Sequence, residues 1–143
     1  MRRGFFLPEL LLVIVIIGLM LLIMVPRLDG PLARITVDAE VQRLARAHVQ
    51  ARMLAMVSSQ VAVLHYRPDS LTIGLVQGGD TLPRWREAGP ASRGVTLTGP
   101  AHSILVAPTA MGLGVSNGTW TLTYRGVQRS VILSRLGRLR VAP

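Results

Sequence analysis

The 143-residue chain contains no cysteine and no lysine. Without cysteine, neither a disulfide framework nor a thiolate metal site can form. All sixteen basic residues are therefore arginine. Acidic residues number only seven, and the last of them is Glu87. Residues 88–143 carry six arginines (Arg93, Arg125, Arg129, Arg135, Arg138 and Arg140) and no acidic residue. The formal net charge of +9 is thus weighted toward the C-terminal part. A field of one sign attracts polyanions, or it simply solvates a surface. The three histidines, His48, His65 and His102, stand far apart with no metal-ligand spacing, so no metal site and no cofactor is expected.

What the chain has in excess is apolar residues, and they are unevenly spread. Half of the chain is hydrophobic, and one unbroken run occupies residues 10–25. As a helix, residues 5–25 would reach roughly 31 Å, the thickness of a bilayer core. The thirteen Leu, Ile and Val residues of 10–25 favour insertion by roughly 4–8 kcal/mol in total. A carboxylate at the bilayer centre costs about 2.5–3.5 kcal/mol, and Glu9, near the end of the span, costs less. Insertion wins, but Glu9 then needs a reason.

Several readings compete for this segment. Met1-Arg2-Arg3-Gly4 followed by an apolar core suits a secretory signal, but no small-residue cleavage site follows Val25-Pro26-Arg27. Arg2-Arg3-Gly4-Phe5-Phe6 suggests a twin-arginine signal, which needs a similar downstream cut. A plain membrane anchor leaves Glu9 without a purpose. Gly4-Phe5-x-x-x-Glu9 before a long apolar run resembles the leader of type IV pilins and pseudopilins. That resemblance implies cleavage between Gly4 and Phe5 by a prepilin peptidase, with methylation of the new Phe5 amine. The apolar segment would stay in the mature chain, anchored in the inner membrane with the remainder outside the cytoplasm. Pro26 falls where many members of that group bend their helix. Pro8 would lie in the first helical turn, where its missing N–H does no harm. The physical role of Glu9 follows: in a filament it would neutralise the Phe5 amine of a neighbouring subunit, a pairing that sets register more than stability.

Beyond the apolar run, Pro26 and the pair Gly30-Pro31 predict a kink or partial melting over 26–31. The helix is then expected to resume near Leu32 and run to about Gln60. Val41, Leu44, His48, Ala51 and Ala55 recur at spacings of three and four and mark its inward face. Arg43, Arg46 and Gln50 lie on another face, and Glu40 is spaced to pair with Arg43. The period then changes to two. Residues 61–66 and 71–76 flank the turn signal Arg67-Pro68-Asp69-Ser70 and predict a hairpin. Residues 77–94, rich in Gly, Pro and charge, read as a long exposed loop. Short strands are expected at 95–98, 103–107, 119–125, 130–134 and 138–141, with Trp120, Leu122 and Tyr124 on one core-facing side. The expected class is α+β: one long helix followed by an antiparallel β domain. The expected division is a leader at 1–4, a transmembrane and filament-core helix at 5–25, an amphipathic helix at 26–60 packing on the sheets, and the β domain at 61–143.

The signals for catalysis are weak. Gly114-Val115-Ser116-Asn117-Gly118 fits the pattern of a nucleophile elbow, but a strand rather than a helix should follow it, and no Asp, Glu or His lies after Ser116. Asn117-Gly118 reads better as a turn. Gly112-x-Gly114 lacks the strand–helix context of a dinucleotide loop. No enzyme is expected.

The order of helix, hairpin and strands, closing on Gly137-Arg138-Leu139-Arg140-Val141, resembles the GspH/FimT family of minor pilins and pseudopilins. Ala51-Arg52 and the stretch from Ser59 to Val63 are similar to the family's helix-to-strand junction. The resemblance implies a subunit of a type IV pilus or a type II secretion pseudopilus, acting in assembly or tip initiation beside other pilins. Some FimT-like members bind DNA for natural transformation through a C-terminal Gly-Arg-x-Arg motif. On that resemblance Gly137, Arg138 and Arg140, with Arg135 ahead of them, are DNA-binding candidates and double-stranded DNA is a candidate partner. In an extended segment Arg138 and Arg140 point to the same side. The competing reading has these arginines guarding a sheet edge.

Overall fold

The computed structural model describes residues 7–143, except for the side chains of 23–28. One helix, α1 (Leu7–Ser58), is followed by nine strands. These are β1 (Ala62–Tyr66), β2 (Ser70–Gln77), β3 (Asp80–Ala88), β4 (Thr96–Thr98), β5 (Ile104–Val106), β6 (Gly112–Leu113), β7 (Gly118–Tyr124), β8 (Val127–Leu133) and β9 (Leu139–Ala142). They form two antiparallel sheets, ordered β3-β2-β1-β5-β6 and β4-β7-β8-β9. The class is α+β, as expected.

The domain half of α1 packs on both sheets, against β1, β2 and β5 of the first and β7 and β8 of the second. Its buried face is Ala33, Val37, Val41, Leu44, Ala47, His48, Ala51 and Ala55. The alanines let the helix approach the sheets closely, and the larger Leu44 meets the core. That core centres on Trp120, Leu64, Leu71, Ile73, Ile104 and Leu122, all fully buried. Tyr66 meets Trp120 edge-to-face, with centroids 5.1 Å apart and planes at 89°. Its hydroxyl donates to the Leu44 carbonyl at 2.8 Å and ties the first sheet to the helix. Burial pushes the Tyr66 phenol pKa up.

Two expectations are corrected. The helix is continuous across 26–31, with no melted segment, and it ends at Ser58 rather than Gln60. A helical proline removes one backbone hydrogen bond and crowds one carbonyl. The residues on either side are good enough helix formers to carry the helix past two of them. The second correction concerns 77–94, which is not an open loop. It holds β3 and a short 3-10 turn at Pro90–Arg93. Gly78 and Gly79, both at positive φ, make the tight connection from β2. β3 is an edge strand exposed along most of its length, so no apolar alternation marks it. Pro83 is tolerated there because an edge strand leaves half its amides unpaired, and a register irregularity sits opposite it at Ile73/Gly74. The two-residue strand β6 was also not foreseen, being too short to carry a pattern.

Among the described residues, no helical stretch is long and apolar enough to cross a membrane.

Candidate functional site

The candidate residues Arg135, Gly137, Arg138 and Arg140 gather at the β8–β9 hairpin. The Gly137 amide donates to the Ser134 carbonyl at 2.9 Å, and the Ser134 amide donates to the Arg138 carbonyl at 2.9 Å. This is a three-residue connection closed by a residue in the left-handed region, and Gly137 takes that place at φ 73°. A Cβ on Gly137 would also lie 3.3 Å from the Ala110 carbonyl oxygen. The glycine of Gly137-Arg138-Leu139-Arg140 is thus required by the turn itself. His48 fastens the turn to the helix: its Nε2 lies 3.2 Å from the buried Gly137 carbonyl oxygen. Burial, only partly offset by that hydrogen bond, holds the His48 pKa below the ordinary imidazole value.

The register sets the direction of the arginines. Leu139 pairs with Leu133 and Val141 with Val131, so these positions face the helix side. Arg140 pairs with Ile132, on the opposite, outward side. The Ser134–Arg138 hydrogen bond places Arg138 on that same outward side. Arg135, in the turn, is exposed, as are Arg138 and Arg140, whereas Gly137 is buried.

Ion pairing divides the arginines into two groups. Glu40, only 1% exposed, accepts from Arg43 and Arg93, each at 3.0 Å. Arg43 also pairs with Glu87 and donates to the Ala88 carbonyl at 3.0 Å. Burial works against the Arg43 cation, but its bonds to Glu87 and Glu40 outweigh that and raise its pKa. Arg125 pairs with Asp29 at 2.9 Å, and Arg129 with Asp38 at 3.1 Å. Among the described residues, Arg135, Arg138 and Arg140 have no carboxylate partner, and neither have Arg34, Arg46, Arg52, Arg67, Arg84 and Arg86; only the first three follow the last acidic residue, Glu87. Sequence reasoning found Glu40–Arg43 from its local spacing. It missed Glu40–Arg93, Asp29–Arg125 and Asp38–Arg129, which join residues 53, 96 and 91 positions apart.

The remaining sequence candidates lie elsewhere. Gly4 and Phe5 fall outside the described residues. Glu9 sits in the first turn of α1 and is exposed. Ser116, the would-be nucleophile, is 2% exposed. Its hydroxyl accepts from the Leu105 amide at 3.1 Å and lies within donating reach of the Leu105 and Leu113 carbonyls, stapling β5 to β6. Gly118 is explained by packing rather than by a turn: a Cβ there would lie 2.7 Å from Pro100 and 2.9 Å from Trp120. His102 is held by the Asn117 carbonyl at 3.1 Å and His65 is half-buried on β1. Among the described residues, no three His, Asp or Glu side chains gather as metal ligands.

No family model matches the chain, and no curated protein does. Solved structures do. The Pseudomonas aeruginosa (strain PAO1) type IV minor pilin FimU is similar with a TM-score of 0.64 at 16% identity, over 77% of this chain and 90% of that one. A second crystal form of FimU gives 0.60 at 15% identity, over 74% and 92%. The minor pseudopilin EpsH from the type 2 secretion system of Vibrio cholerae gives 0.55 at 17% identity, over 77% and 95%. These neighbours are a minor pilin and a minor pseudopilin. At such identities the likeness is one of architecture: this chain has the α+β fold of type IV pilin-like proteins, as seen in a minor pilin and a minor pseudopilin.

Proposed function

We propose that the protein is a minor pilin or pseudopilin: a membrane-anchored subunit that joins other pilins in a filament and acts in its assembly or at its tip. The observation that carries this is the first half of α1. Every described residue from Leu7 to Leu22 is exposed, although almost all are apolar. A helix apolar all round requires an apolar environment, either lipid or neighbouring helices. Before assembly that environment is the inner membrane, with the β domain outside the cytoplasm; afterwards it is the filament core. In this reading a prepilin peptidase cuts between Gly4 and Phe5, the Phe5 amine is methylated, and Glu9 neutralises a neighbour's amine. Mass spectrometry of the mature chain is the test. A methylated Phe5 start is expected, and a start beyond Val25 would replace this reading with a secretory signal.

A second activity is supported by the β8–β9 hairpin. Arg138 and Arg140 share the outward side of the sheet and lack carboxylate partners. We propose that they bind the phosphates of double-stranded DNA, with Arg135 beside them and without sequence preference. Changing Arg138 and Arg140 together to Gln is expected to weaken binding and to flatten its salt dependence by roughly 0.9 for each lost phosphate contact. Absence of DNA binding by the unaltered protein at low salt would leave the hairpin an assembly or solubility feature.

A further inference from the structure

The outward face of the second sheet has a composition that the arginine motif does not account for. Side chains alternate across each strand, so the residues flanking Trp120 and Leu122 on β7, and those between Val127, Arg129, Val131 and Leu133 on β8, all face away from the helix. On β7 these include Thr119 and Thr121; on β8 they include Gln128 and Ser130. The Thr121 and Ser130 hydroxyls meet across the strands at 3.3 Å. Thr119, Ile132 and Arg140 stand in one cross-strand row, so Arg140 and Thr119 are separated by two strand spacings, about 10 Å. Arg138 and Arg140 are about 7 Å apart along the strand direction. No acidic residue occurs on any of the four strands of this sheet, because the last one in the chain is Glu87. The helix covers only the other face, which leaves this one open. It is therefore a surface of hydroxyl and amide groups around the exposed Ile132, free of acidic side chains, with two unpaired guanidinium groups along one edge.

We propose that this whole face, and not the hairpin alone, is the surface on which a nucleic-acid backbone lies. Thr119, Thr121, Gln128 and Ser130 then add neutral hydrogen bonds to phosphate oxygens beside the charges of Arg138 and Arg140. The inference rests on the DNA reading of the hairpin and extends it across the sheet. Charge complementarity selects the occupant. A backbone with one negative charge per about 1.7 Å of duplex is drawn to a cationic edge. Serine, threonine and glutamine side chains donate to phosphate without reading bases. A protein partner with an ordinary mixed surface would find no carboxylate here to pair with its own cations.

The two kinds of contact leave different marks on binding, and this makes the inference separable from the reading beneath it. An arginine contact releases counterions, so its loss lowers the slope of log K against log salt. A hydroxyl contact releases none, so its loss lowers K at every salt concentration and leaves the slope unchanged. The experiment uses the full chain in non-ionic detergent and a labelled DNA duplex of mixed sequence, with anisotropy followed across salt concentrations. The double variant Thr119→Val, Thr121→Val keeps shape and strand preference. It is expected to bind roughly threefold to tenfold more weakly with an unchanged slope, the size of one or two neutral hydrogen bonds. Gln128→Glu and Gln77→Glu each add one negative charge at an exposed position, the first on this face and the second at the end of β2 in the other sheet. Weakening by Gln128→Glu well beyond that by Gln77→Glu supports the proposal, and circular dichroism checks that each variant folds. Equal effects of the two glutamates, or valine variants that bind like the unaltered chain, overturn it while the Arg138/Arg140 reading stands. No duplex binding at all overturns both.

Discussion

The two halves of the single helix make opposite use of hydrophobicity. Residues 7–22 are the most apolar stretch of the described chain, yet none of them is buried. Residues 33–55 are far more polar, carrying Arg34, Asp38, Glu40, Arg43, Arg46 and Arg52, yet they supply the helix side of the core. Burial within the domain follows pattern rather than total hydrophobicity. Small and branched residues at spacings of three and four give the second half one face that fits the sheets. The first half has no polar face and no sheet beneath it, so its driving force is left for lipid or for other helices to use. In the proposed reading, one continuous helix thus carries two separate tasks.

The largest test of this contrast is removal. A chain beginning near Leu32 loses the exposed apolar stretch and keeps every residue of the core. It should be soluble without detergent and should unfold cooperatively on heating, whereas the full chain should need detergent. A smaller test compares matched substitutions. Leu44→Ala should destabilise the domain by about 2–5 kcal/mol, since Leu44 is fully buried among both sheets. Leu11→Ala, at 56% exposure, should change domain stability by about 0.5 kcal/mol or less. Equal losses in thermal melts would mean that the two halves are not energetically separate.

Smaller effects sharpen the same contrast at the hairpin that the second half anchors. Gly137→Ala should cost about 1 kcal/mol or more through its positive φ and its approach to the Ala110 carbonyl. Denaturant melts would detect it. The smallest effect concerns pH. The folded-state pKa of His48 is depressed, so the unfolded chain binds more protons through the interval below about 6.5. Stability from the buried neutral imidazole is therefore fully present above that value and is lost as pH falls toward the folded-state pKa. His48→Gln keeps a donor for the Gly137 carbonyl but cannot titrate. The gap in melting temperature between pH 7.5 and pH 5 should be narrower in this variant than in the unaltered chain. The depressed pKa of His65 contributes in the same direction and remains in both.

Much of this fold was legible in local pattern. The inward stripe Val41, Leu44, His48, Ala51 and Ala55 is buried as its spacing indicates. The hairpin about Arg67-Pro68-Asp69-Ser70 pairs Tyr66 with Leu71, and Trp120 and Leu122 face the core. β3 escaped notice because an edge strand is held by backbone hydrogen bonds to one neighbour and owes little to side-chain alternation. Pro83 and the glycines before it, true signs of a break elsewhere, here mark an edge and a tight turn. The prolines of 26–31 misled in the same way: a local penalty does not end a helix whose two flanks are both strong.

For the candidate site, the sequence alone determined the excess of arginine after Glu87 and the alternation that puts Arg138 and Arg140 on one side of a strand. Both properties belong to neighbouring positions, and neighbours in sequence remain neighbours however the chain folds. Only the tertiary structure decided which of those arginines are neutralised. Asp29, Asp38 and Glu40 lie along the helix, and packing brings them to Arg125, Arg129 and Arg93. Arg138 and Arg140 face the other side of the same sheet, beyond the reach of any carboxylate the helix carries. Charge can be counted along a chain, but pairing depends on distance through space, and that distance exists only once the helix has docked.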